Sequence, residues 1–319
     1  MHKETKTIFL EIPTWLGDAI MTTPAIENLI KTYPNAKITL LGSFVSTQAF
    51  KGYKNIDKVI VDDTKKSGNR YRNLISLAKS IGEVDLAISF RRSISSKFMM
   101  FFIKAKKKFN YKRLTKKEIH LALRYNDFVN KSLNLTNEAG DLKLYFKAFE
   151  YPKPTLGLNP GATYGSAKRW YPQEFAKVAI ELSSKYDIVI FGGPGETEIA
   201  KDIEDELIKN GISNYQNLAG LTSIIELIEK IAGLSLFVTN DSGPMHVAAA
   251  YKIKTISIFG PTKFTETNQW HNDKNGLIVT KNLDCAPCMK RVCPLKHHNC
   301  MKTITANDVL ESIEKLERK

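Results

Sequence analysis

The amino-acid sequence predicts an α/β fold made of two Rossmann-like domains, each built on a parallel β-sheet. Short apolar, β-favouring segments alternate with segments of helical periodicity along the whole chain. The alternation restarts after a proline-rich break at 151–154, and 319 residues suffice for two domains of ordinary size. We therefore expect domains at 1–152 and 153–319, with a cleft between them and the last helix able to pack back on the first domain.

The first half opens on a strand at 7–12, which leads through a turn containing Gly17 into a helix at 19–33. Apolar side chains recur in this helix at helical spacing, and Pro34 ends it. The other elements predicted in this half are strands at 37–41, 58–61 and 86–90 and a helix at 74–81.

The second half opens on a strand at 156–158, followed by a glycine-containing turn at 159–165. A second glycine-rich turn at 192–195 precedes an amphipathic helix at 196–210. Ligands of such folds lie at the carboxyl ends of the strands, so these turns are candidate binding loops. The other elements predicted in this half are helices at 172–186, 223–232, 244–251 and 307–316 and strands at 188–191, 234–239 and 255–259.

The composition excludes a disordered chain, a collagen-like fibre and a disulfide-dense miniprotein, since 43% of the residues are hydrophobic and 25% are charged. No apolar run approaches the roughly 20 residues of a membrane span, and no secretion signal is recognisable, so we expect a cytoplasmic protein. The net charge of +14 predicts an anionic partner: nucleic acid, an acidic membrane surface or a phosphorylated substrate. Residues 91–124 carry 12 Lys and Arg against one acidic residue, so the excess charge belongs to one segment.

An acidic residue, Asp18, lies in the loop between the first strand and the first helix. A carboxylate at a helix N-terminus is stabilised by the helix dipole and is suited to act as a general base. Aspartate is also common as an N-cap, and from the spacing alone capping is the better explanation.

A strand-to-helix turn at 239–246 has the sequence Thr-Asn-Asp-Ser-Gly-Pro-Met-His. Its proline is a favoured first helical residue, and the backbone N–H groups around Ser242 and Gly243 form a site suited to a phosphate. Asp241 would cap or orient this turn, while His246 is either a packing residue or a catalyst.

Two further strand-end loops carry charged residues. Lys168 lies in the loop at 161–170, where it either neutralises a phosphate or is a solvated surface charge. Glu196 and Glu198 follow the turn at 192–195, and a carboxylate there either binds ribose hydroxyls or caps a helix.

Taken together, these segments resemble the heptosyltransferases of lipopolysaccharide core synthesis, a family of ADP-heptose-dependent glycosyltransferases. The resemblance covers nearly the whole chain, and its cysteine-rich end, with His-His-Asn-Cys-Met at 297–301, is similar to the heptosyltransferase II branch. Tyr171 is a departure, because the family usually has proline directly after the tryptophan. The motifs that carry the resemblance are Pro-Thr-Trp-Leu-Gly-Asp-Ala-Ile-Met-Thr-Thr-Pro at 13–24, Asn-Pro-Gly-Ala-Thr-Tyr-Gly-Ser-Ala-Lys-Arg-Trp at 159–170, Asn-Asp-Ser-Gly-Pro-Met-His-Val-Ala-Ala-Ala at 240–250 and Phe-Gly-Pro-Thr at 259–262.

The resemblance implies a GT-B fold, two Rossmann-like domains with parallel sheets facing across a cleft, and an inverting transfer that requires no metal or other cofactor. ADP-heptose is the implied donor, and heptose I of the lipopolysaccharide or lipooligosaccharide inner core is the implied acceptor. Asp18 matches the family's base and Lys168 its phosphate-neutralising lysine, while Glu196, with Glu198 as the alternative, is the expected ribose-binding acid. The donor loop carried over from the family consists of Asp241, Ser242, Gly243 and His246.

We interpret the basic segment as the contact for an anionic, lipid-anchored acceptor at the cytoplasmic face of the inner membrane. Its basic residues flank an apolar run at 98–103, as in surfaces that bind anionic amphiphiles. A core helix or strand flanked by solvated lysines explains the apolar run equally well. Nucleic acid is not expected, because few aromatic residues interleave with the lysines. The residues assigned to this contact are Arg91, Arg92, Lys106, Lys107 and Lys108.

All four cysteines lie close together, at Cys285, Cys288, Cys293 and Cys300. This spacing fits a structural zinc site, a set of free thiols or two disulfides, and a cytosolic setting disfavours the disulfides. Two alternatives to a heptosyltransferase stay open: a relative that uses another nucleotide sugar, or a protein that binds zinc and nucleic acid. The strand-end loops favour an enzyme, because binding zinc and nucleic acid would not require loops of this kind.

Overall fold

The computed structural model describes residues 6–66 and 68–319, and the chain divides into two compact units, Met1–Tyr145 and Phe146–Lys319. The division lies a few residues before the proline-rich break at 151–154. In both units, helices alternate with strands, and all the strand pairs among the described residues are parallel. The prediction of two Rossmann-like α/β domains with parallel sheets is therefore confirmed.

The first unit is built on a five-stranded sheet in the order β3-β2-β1-β4-β5. Its central strand is buried along almost its full length, as expected for a parallel strand covered by helices on both faces. The strands are β1 (Thr7–Glu11), β2 (Lys37–Gly42), β3 (Ile56–Val61), β4 (Glu83–Ser89) and β5 (Lys104–Asn110), and the helices are α1 (Leu16–Ile20), α2 (Thr23–Thr32), α3 (Phe44–Gln48), α4 (Arg70–Ile81), α5 (Ile94–Phe102) and α6 (Leu121–Leu133).

The single helix predicted at 19–33 is wrong, because the structure has two helices there, α1 and α2. Pro24 lacks the N–H that would continue the ladder, and it lies in the first turn of the second helix, which begins at Thr23. The hydroxyls of Thr22 and Thr23 donate instead to the carbonyls of Ala19 and Ile20, at 2.6 and 2.7 Å. These bonds provide hydrogen-bond donors for the last carbonyl groups of α1, so the helix can end there and the chain can turn.

The basic segment folds into α5 and the edge strand β5. The helix buries Met99 and Met100 in the core, whereas Ile94 and Phe101 on its other face are 79% and 76% exposed. The strand, whose sequence is Lys-Ala-Lys-Lys-Lys-Phe-Asn, pairs with β4 alone. Lysines are poor strand formers but common on edges, where their charges discourage pairing with another chain.

The second unit is built on a six-stranded sheet in the order β11-β10-β9-β6-β7-β8. The strands are β6 (Thr155–Asn159), β7 (Asp187–Ile190), β8 (Tyr215–Asn217), β9 (Leu236–Asn240), β10 (Thr255–Ile258) and β11 (Gly276–Val279), and the helices are α7 (Pro172–Leu182), α8 (Thr197–Lys209), α9 (Ile224–Ala232), α10 (Gly243–Ala250), α11 (Phe264–Thr267), α12 (Asn299–Lys302) and α13 (Ala306–Glu317). The final helix packs on α7, β10 and β11 of its own unit.

The two central strands of this sheet, β6 and β9, are buried at every residue and hydrogen-bonded to each other. The chain order of the strands reverses between them, which is the position where open α/β sheets leave a crevice for a ligand. No helix among residues 6–66 and 68–319 combines the length and the apolar character needed to cross a bilayer.

Candidate active site

The loops after β6 and β9 meet at the carboxyl edge of the second sheet, because the last residue of β6, Asn159, is in register with Thr239. The Asn159 amide donates to the hydroxyl of Ser242 at 3.0 Å and to that of Thr239 at 3.3 Å. This network fixes the turn that enters α10 against the end of the neighbouring strand.

A largely buried ion pair lies at this edge. The Nζ of Lys168 is 2.5 Å from a carboxylate oxygen of Asp241, and the two side chains are 13% and 4% exposed. The hydroxyl of Thr262 donates to the same oxygen at 2.6 Å. Lys168, Asp241 and Thr262 thus come from the three loops that follow β6, β9 and β10. Lys168 was expected either to bind a phosphate or to be solvated, and the structure places it in a largely buried ion pair.

The start of α10 is a second cationic feature of the same edge. Ser242 occupies the N-cap position, but its side chain does not cap the helix, and proline lies in the first turn. The free N–H groups and the helix dipole of such a start favour an anion. Gly243 begins the helix, and His246, one turn further on, is only 3% exposed.

Glu196 lies against the loop that carries Lys168. One of its carboxylate oxygens accepts from the backbone N–H of Gly193 at 2.8 Å. The carboxylate also covers Gly161, where an added methyl group would lie 2.1 Å from it. Glu196 therefore caps its own turn and belongs to this edge, whereas Glu198 lies in the first turn of α8.

In the first unit, Asp18 lies in the first turn of α1, directly after the loop that follows β1. The N-cap position of this helix is occupied by Trp15, so Asp18 is not the capping residue. Burial is the main cause that raises the pKa of Tyr125, and the negative charge of Asp18 adds to it. The charge of Asp18 thus affects the buried Tyr125, while Asp18 itself is partly accessible to solvent.

Arg91 does not lie on the exposed basic surface. Its guanidinium is 3.2 Å from the carboxylate of Glu11 and 3.5 Å from that of Asp62, and its side chain is 13% exposed. Burial raises the pKa of Glu11, although Arg91 and hydrogen bonds from Ser89 and Ser96 oppose this shift. Arg91 is thus held in an ion-pair network at the ends of β1, β3 and β4, and its assignment to the acceptor contact stays a prediction.

The other basic residues assigned to the acceptor lie at the surface. Arg92 is exposed before α5, and the side chains of Lys106, Lys107 and Lys108 are exposed on β5. The Nζ of Lys106 is 2.5 Å from Asp85, and the Nζ of Lys108 donates to the Phe101 carbonyl at 3.0 Å. Phe101 and these two lysines line one open depression of about 580 Å³, so apolar and basic groups share a surface.

The four cysteines are free thiols that line one small cavity of about 20 Å³, together with His297 and His298. Burial, reinforced by the other three thiols, raises the pKa of Cys300 to about 11. Among residues 6–66 and 68–319, no group of three or more His, Cys, Asp or Glu is arranged to hold a metal ion. The cysteines therefore converge, but they do not form a ligand set in this structure.

Two parallel-sheet units, with a lysine and an uncapped helix start at the carboxyl edge of the second, are the features expected of GT-B glycosyltransferases. Residues 116–299 match the family described as glycosyltransferase family 9 (heptosyltransferase). A lipooligosaccharide heptosyltransferase 2 of Campylobacter jejuni is 43% identical over 97% of this chain and 98% of its own length. The chain belongs to glycosyltransferase family 9 and is a member of its heptosyltransferases.

Solved structures show the same fold. E. coli ADP-heptose lps heptosyltransferase II has a TM-score of 0.80 and 23% identity, and the match covers 97% of this chain and 98% of that one. E. coli heptosyltransferase WaaC with ADP has a TM-score of 0.78 and 17% identity, covering 97% and 99%. The GT-B architecture that the sequence resemblance implied is therefore confirmed.

The structure brings the predicted residues Lys168, Asp241 and Glu196 to one edge of the sheet, and sequence reasoning missed two polar residues that form hydrogen bonds there. Asn159 and Thr262 were visible only as members of the motifs at 159–170 and 259–262, because a single amide or hydroxyl at a strand end carries no signal of its own. In the first unit, Glu11 was missed although an acid that ends a buried apolar strand is unusual and calls for a partner.

Replacing Lys168 by alanine should lower the free energy of unfolding by about 3–5 kcal/mol, because it leaves the buried carboxylate of Asp241 without its cation. Urea unfolding of the folded chain measures this change. The matched control is Lys177→Ala, which breaks an exposed pair with Glu174 and should cost at most about 1 kcal/mol. Asp241→Asn in the Lys168→Ala background should recover part of the loss; equal losses for the two lysine variants would contradict the buried pair.

Proposed function

We propose that this enzyme transfers a heptose, with inversion, from ADP-heptose onto heptose I of the lipopolysaccharide or lipooligosaccharide inner core. The observation that carries the proposal is the Lys168–Asp241 pair beside the start of α10, a site built for a departing diphosphate. The names of the curated relatives support the reaction, and solved heptosyltransferases that bind ADP and ADP-2-deoxy-2-fluoro heptose support the donor.

The donor diphosphate is the proposed ligand of this edge. The ammonium of Lys168 is anchored by Asp241 and Thr262, so it offers a fixed positive charge with little reorganisation. The N–H groups around Ser242 and Gly243 add the positive end of a helix dipole. Together these groups stabilise the charge that develops on the leaving ADP, so the proposed transfer proceeds without a catalytic metal.

The remaining donor contacts are proposed for Glu196 and His246. Glu196 can accept hydrogen bonds from ribose hydroxyls through the carboxylate that also covers Gly161. His246 lies inside the first turns of α10, where it supports the loop formed with Asp241, Ser242 and Gly243.

Asp18 is the proposed base that takes the proton from the acceptor hydroxyl. It follows the central strand β1, it is partly accessible, and it is not engaged as the N-cap of α1. An inverting transfer needs one such base, and it needs a separate cationic site for the leaving group. The first unit is thus the proposed acceptor domain and the second the donor domain.

The α5–β5 surface, formed by Ile94 and Phe101 of α5 and Lys106, Lys107 and Lys108 of β5, is the proposed contact with anionic lipid. Ile94 and Phe101 are seven residues apart on one helix face, and both are about three-quarters exposed. Exposed apolar side chains beside clustered lysines are the chemistry of peripheral binding to anionic membranes. Such binding would hold the enzyme where its lipid-anchored acceptor is made.

The cysteine cluster is proposed as a structural zinc site, separate from the chemistry of transfer. Its support is that all four thiols line one cavity, since thiolate is a preferred zinc ligand. The side chains would need to reorient to complete a ligand set, because the described residues hold no such set.

Heptose transfer itself is tested by incubating the enzyme with ADP-heptose and a core oligosaccharide that carries heptose I, with mass spectrometry of the product. A gain of one heptose, of inverted anomeric configuration, is expected. A product obtained only with a different nucleotide sugar would overturn the donor assignment.

Asp18→Asn should reduce kcat by about 10²–10⁴-fold while ADP binding and thermal stability stay near wild type, because the amide keeps the shape but cannot accept a proton. Steady-state kinetics and calorimetry with ADP measure the two effects. An unchanged kcat would return Asp18 to a purely structural role.

The double variant Ile94→Ser/Phe101→Ser should bind vesicles of anionic lipid roughly tenfold more weakly, because apolar contact with the bilayer is lost. Its KM for a vesicle-borne acceptor should rise while its KM for ADP-heptose stays constant. Leu221→Ser, which removes a 74% exposed apolar residue from the second unit, is the matched control. Salt should weaken wild-type binding because it screens the lysines over about 8–10 Å. Equal vesicle binding by the double variant and the control would contradict the assigned surface.

A chelator should leave the rate of heptose transfer unchanged as long as the cysteine cluster keeps its structural zinc, since Lys168 and the helix start supply the positive charge at the donor site. Elemental analysis of the purified enzyme should find about one zinc per chain, and Cys288→Ser should reduce that content. Activity that is lost on chelation and returned by magnesium would contradict the metal-independent mechanism, and a zinc-free wild-type protein would contradict the cysteine site.

A further inference from the structure

The cysteine-rich segment, residues 285–300, packs directly on the loop at 161–170 that carries Lys168. At its centre, the backbone N–H of Ala167 donates to the carbonyl of Arg291 at 3.0 Å. The carbonyl of Ala167 lies 2.9 Å from Nε2 of His298. Both backbone groups of the residue before Lys168 are therefore bonded to the cysteine-rich segment.

His298 contacts residues on both sides of Lys168. The carbonyl of Ala167 can only accept, so Nε2 of His298 carries a proton and donates it. The other ring nitrogen, Nδ1, is 3.3 Å from the hydroxyl of Tyr171. His298 thus joins two residues that lie on either side of Lys168 in the sequence.

Tyr164 extends this contact. Its hydroxyl donates to the carbonyl of Met289 at 3.2 Å. Its ring faces two cations, the Nζ of Lys168 at 4.8 Å and the guanidinium of Arg291 at 5.1 Å from the centroid. The aromatic ring therefore connects the lysine of the donor site with a side chain of the cysteine-rich segment.

The fit between the two backbones leaves no room at Gly165. A methyl group there would lie 2.3 Å from the carbonyl oxygen of Arg291, which is the acceptor for Ala167. Lys168 itself belongs to a single 3₁₀ turn, Ser166–Lys168, which contributes few bonds of its own. The position of this turn is accordingly determined by the segment on which it packs.

The cysteine-rich segment is itself held in an uncommon conformation. Met289, Lys296 and His298 have φ values of 57°, 60° and 54°, in the left-handed region that non-glycine residues seldom adopt. Such residues persist where the surroundings over-determine them, and they cluster at functional sites. In this segment, the surroundings include the shared cavity of the thiols and the loop at 161–170.

We propose that the cysteine-rich segment is a positioning element for the donor site, and that His298 is its positioning residue, holding Lys168 through Ala167. The inference rests on the proposed role of Lys168 at the donor diphosphate. Because ADP binding requires the ammonium at one place, the segment governs affinity for the donor and leaves the acceptor untouched.

His298→Ala tests this role against the matched control His297→Ala, whose imidazole is exposed and accepts from the N–H of Asn299 instead. His298→Ala should weaken ADP binding about three- to tenfold, the effect of one lost hydrogen bond, and should raise the KM for ADP-heptose with the acceptor KM unchanged. His298→Gln, which can donate to Ala167, should restore much of the affinity. Calorimetry with ADP and steady-state kinetics supply these values, and thermal unfolding confirms that each variant is folded.

A double-mutant cycle separates positioning from general stability. If His298 acts through Lys168, adding His298→Ala to Lys168→Ala should cause little further loss of ADP affinity. Gly165→Ala, which pushes the two backbones apart from the other side, should reproduce the weaker ADP binding of His298→Ala. Additive losses, or a control variant that loses as much affinity as His298→Ala, would overturn the proposal. Unchanged ADP binding by Lys168→Ala alone would instead overturn the donor role of the lysine, so the two failures are distinguishable.

Discussion

The second unit depends on one buried charge pair, that between Lys168 and Asp241. Neither charge is stable alone in a site shielded from water, so each fixes the other, and Thr262 completes the contact. The three residues come from loops after three neighbouring parallel strands, β6, β9 and β10. A parallel sheet brings these loops to one edge, and the ion pair then fixes the ammonium group of Lys168 at a defined place on that edge.

The first unit also contains a largely buried ion-pair network, formed by an arginine and two acidic residues. Arg91 joins Glu11 and Asp62 at the carboxyl ends of β4, β1 and β3, where one guanidinium forms ion pairs with two acids inside the unit. The exposed positive charge lies elsewhere, on the edge strand β5 beside the apolar face of α5. Net charge alone could not separate an arginine paired with acids in the interior from lysines exposed at the surface, since both count equally in the sum.

Most of the regular elements could be predicted, because buried parallel strands are short apolar runs and the helices that cover them have a 3.6-residue period. The elements that were not predicted are α3, α5, α6, α11, α12, β5, β8 and β11, and two of the departures have a clear physical cause. β5 was missed because four of its seven residues are lysines, which an edge position tolerates and a central position would not. The break between α1 and α2 was missed although Pro24 marks it in the sequence, and the threonine hydroxyls that take over backbone carbonyls give no periodic signal.

The sequence by itself determined the two-domain α/β class, the family and the identity of the charged residues at the strand ends, since these follow from periodicity and from long ordered motifs. Only the tertiary structure decided what those residues do to one another. In the structure, Lys168 forms an ion pair with Asp241, Arg91 forms one with Glu11, and the cysteine-rich segment packs on the loop that carries Lys168. Such contacts join residues up to 131 positions apart, and no local pattern specifies which distant partner a side chain meets when the chain closes around its core.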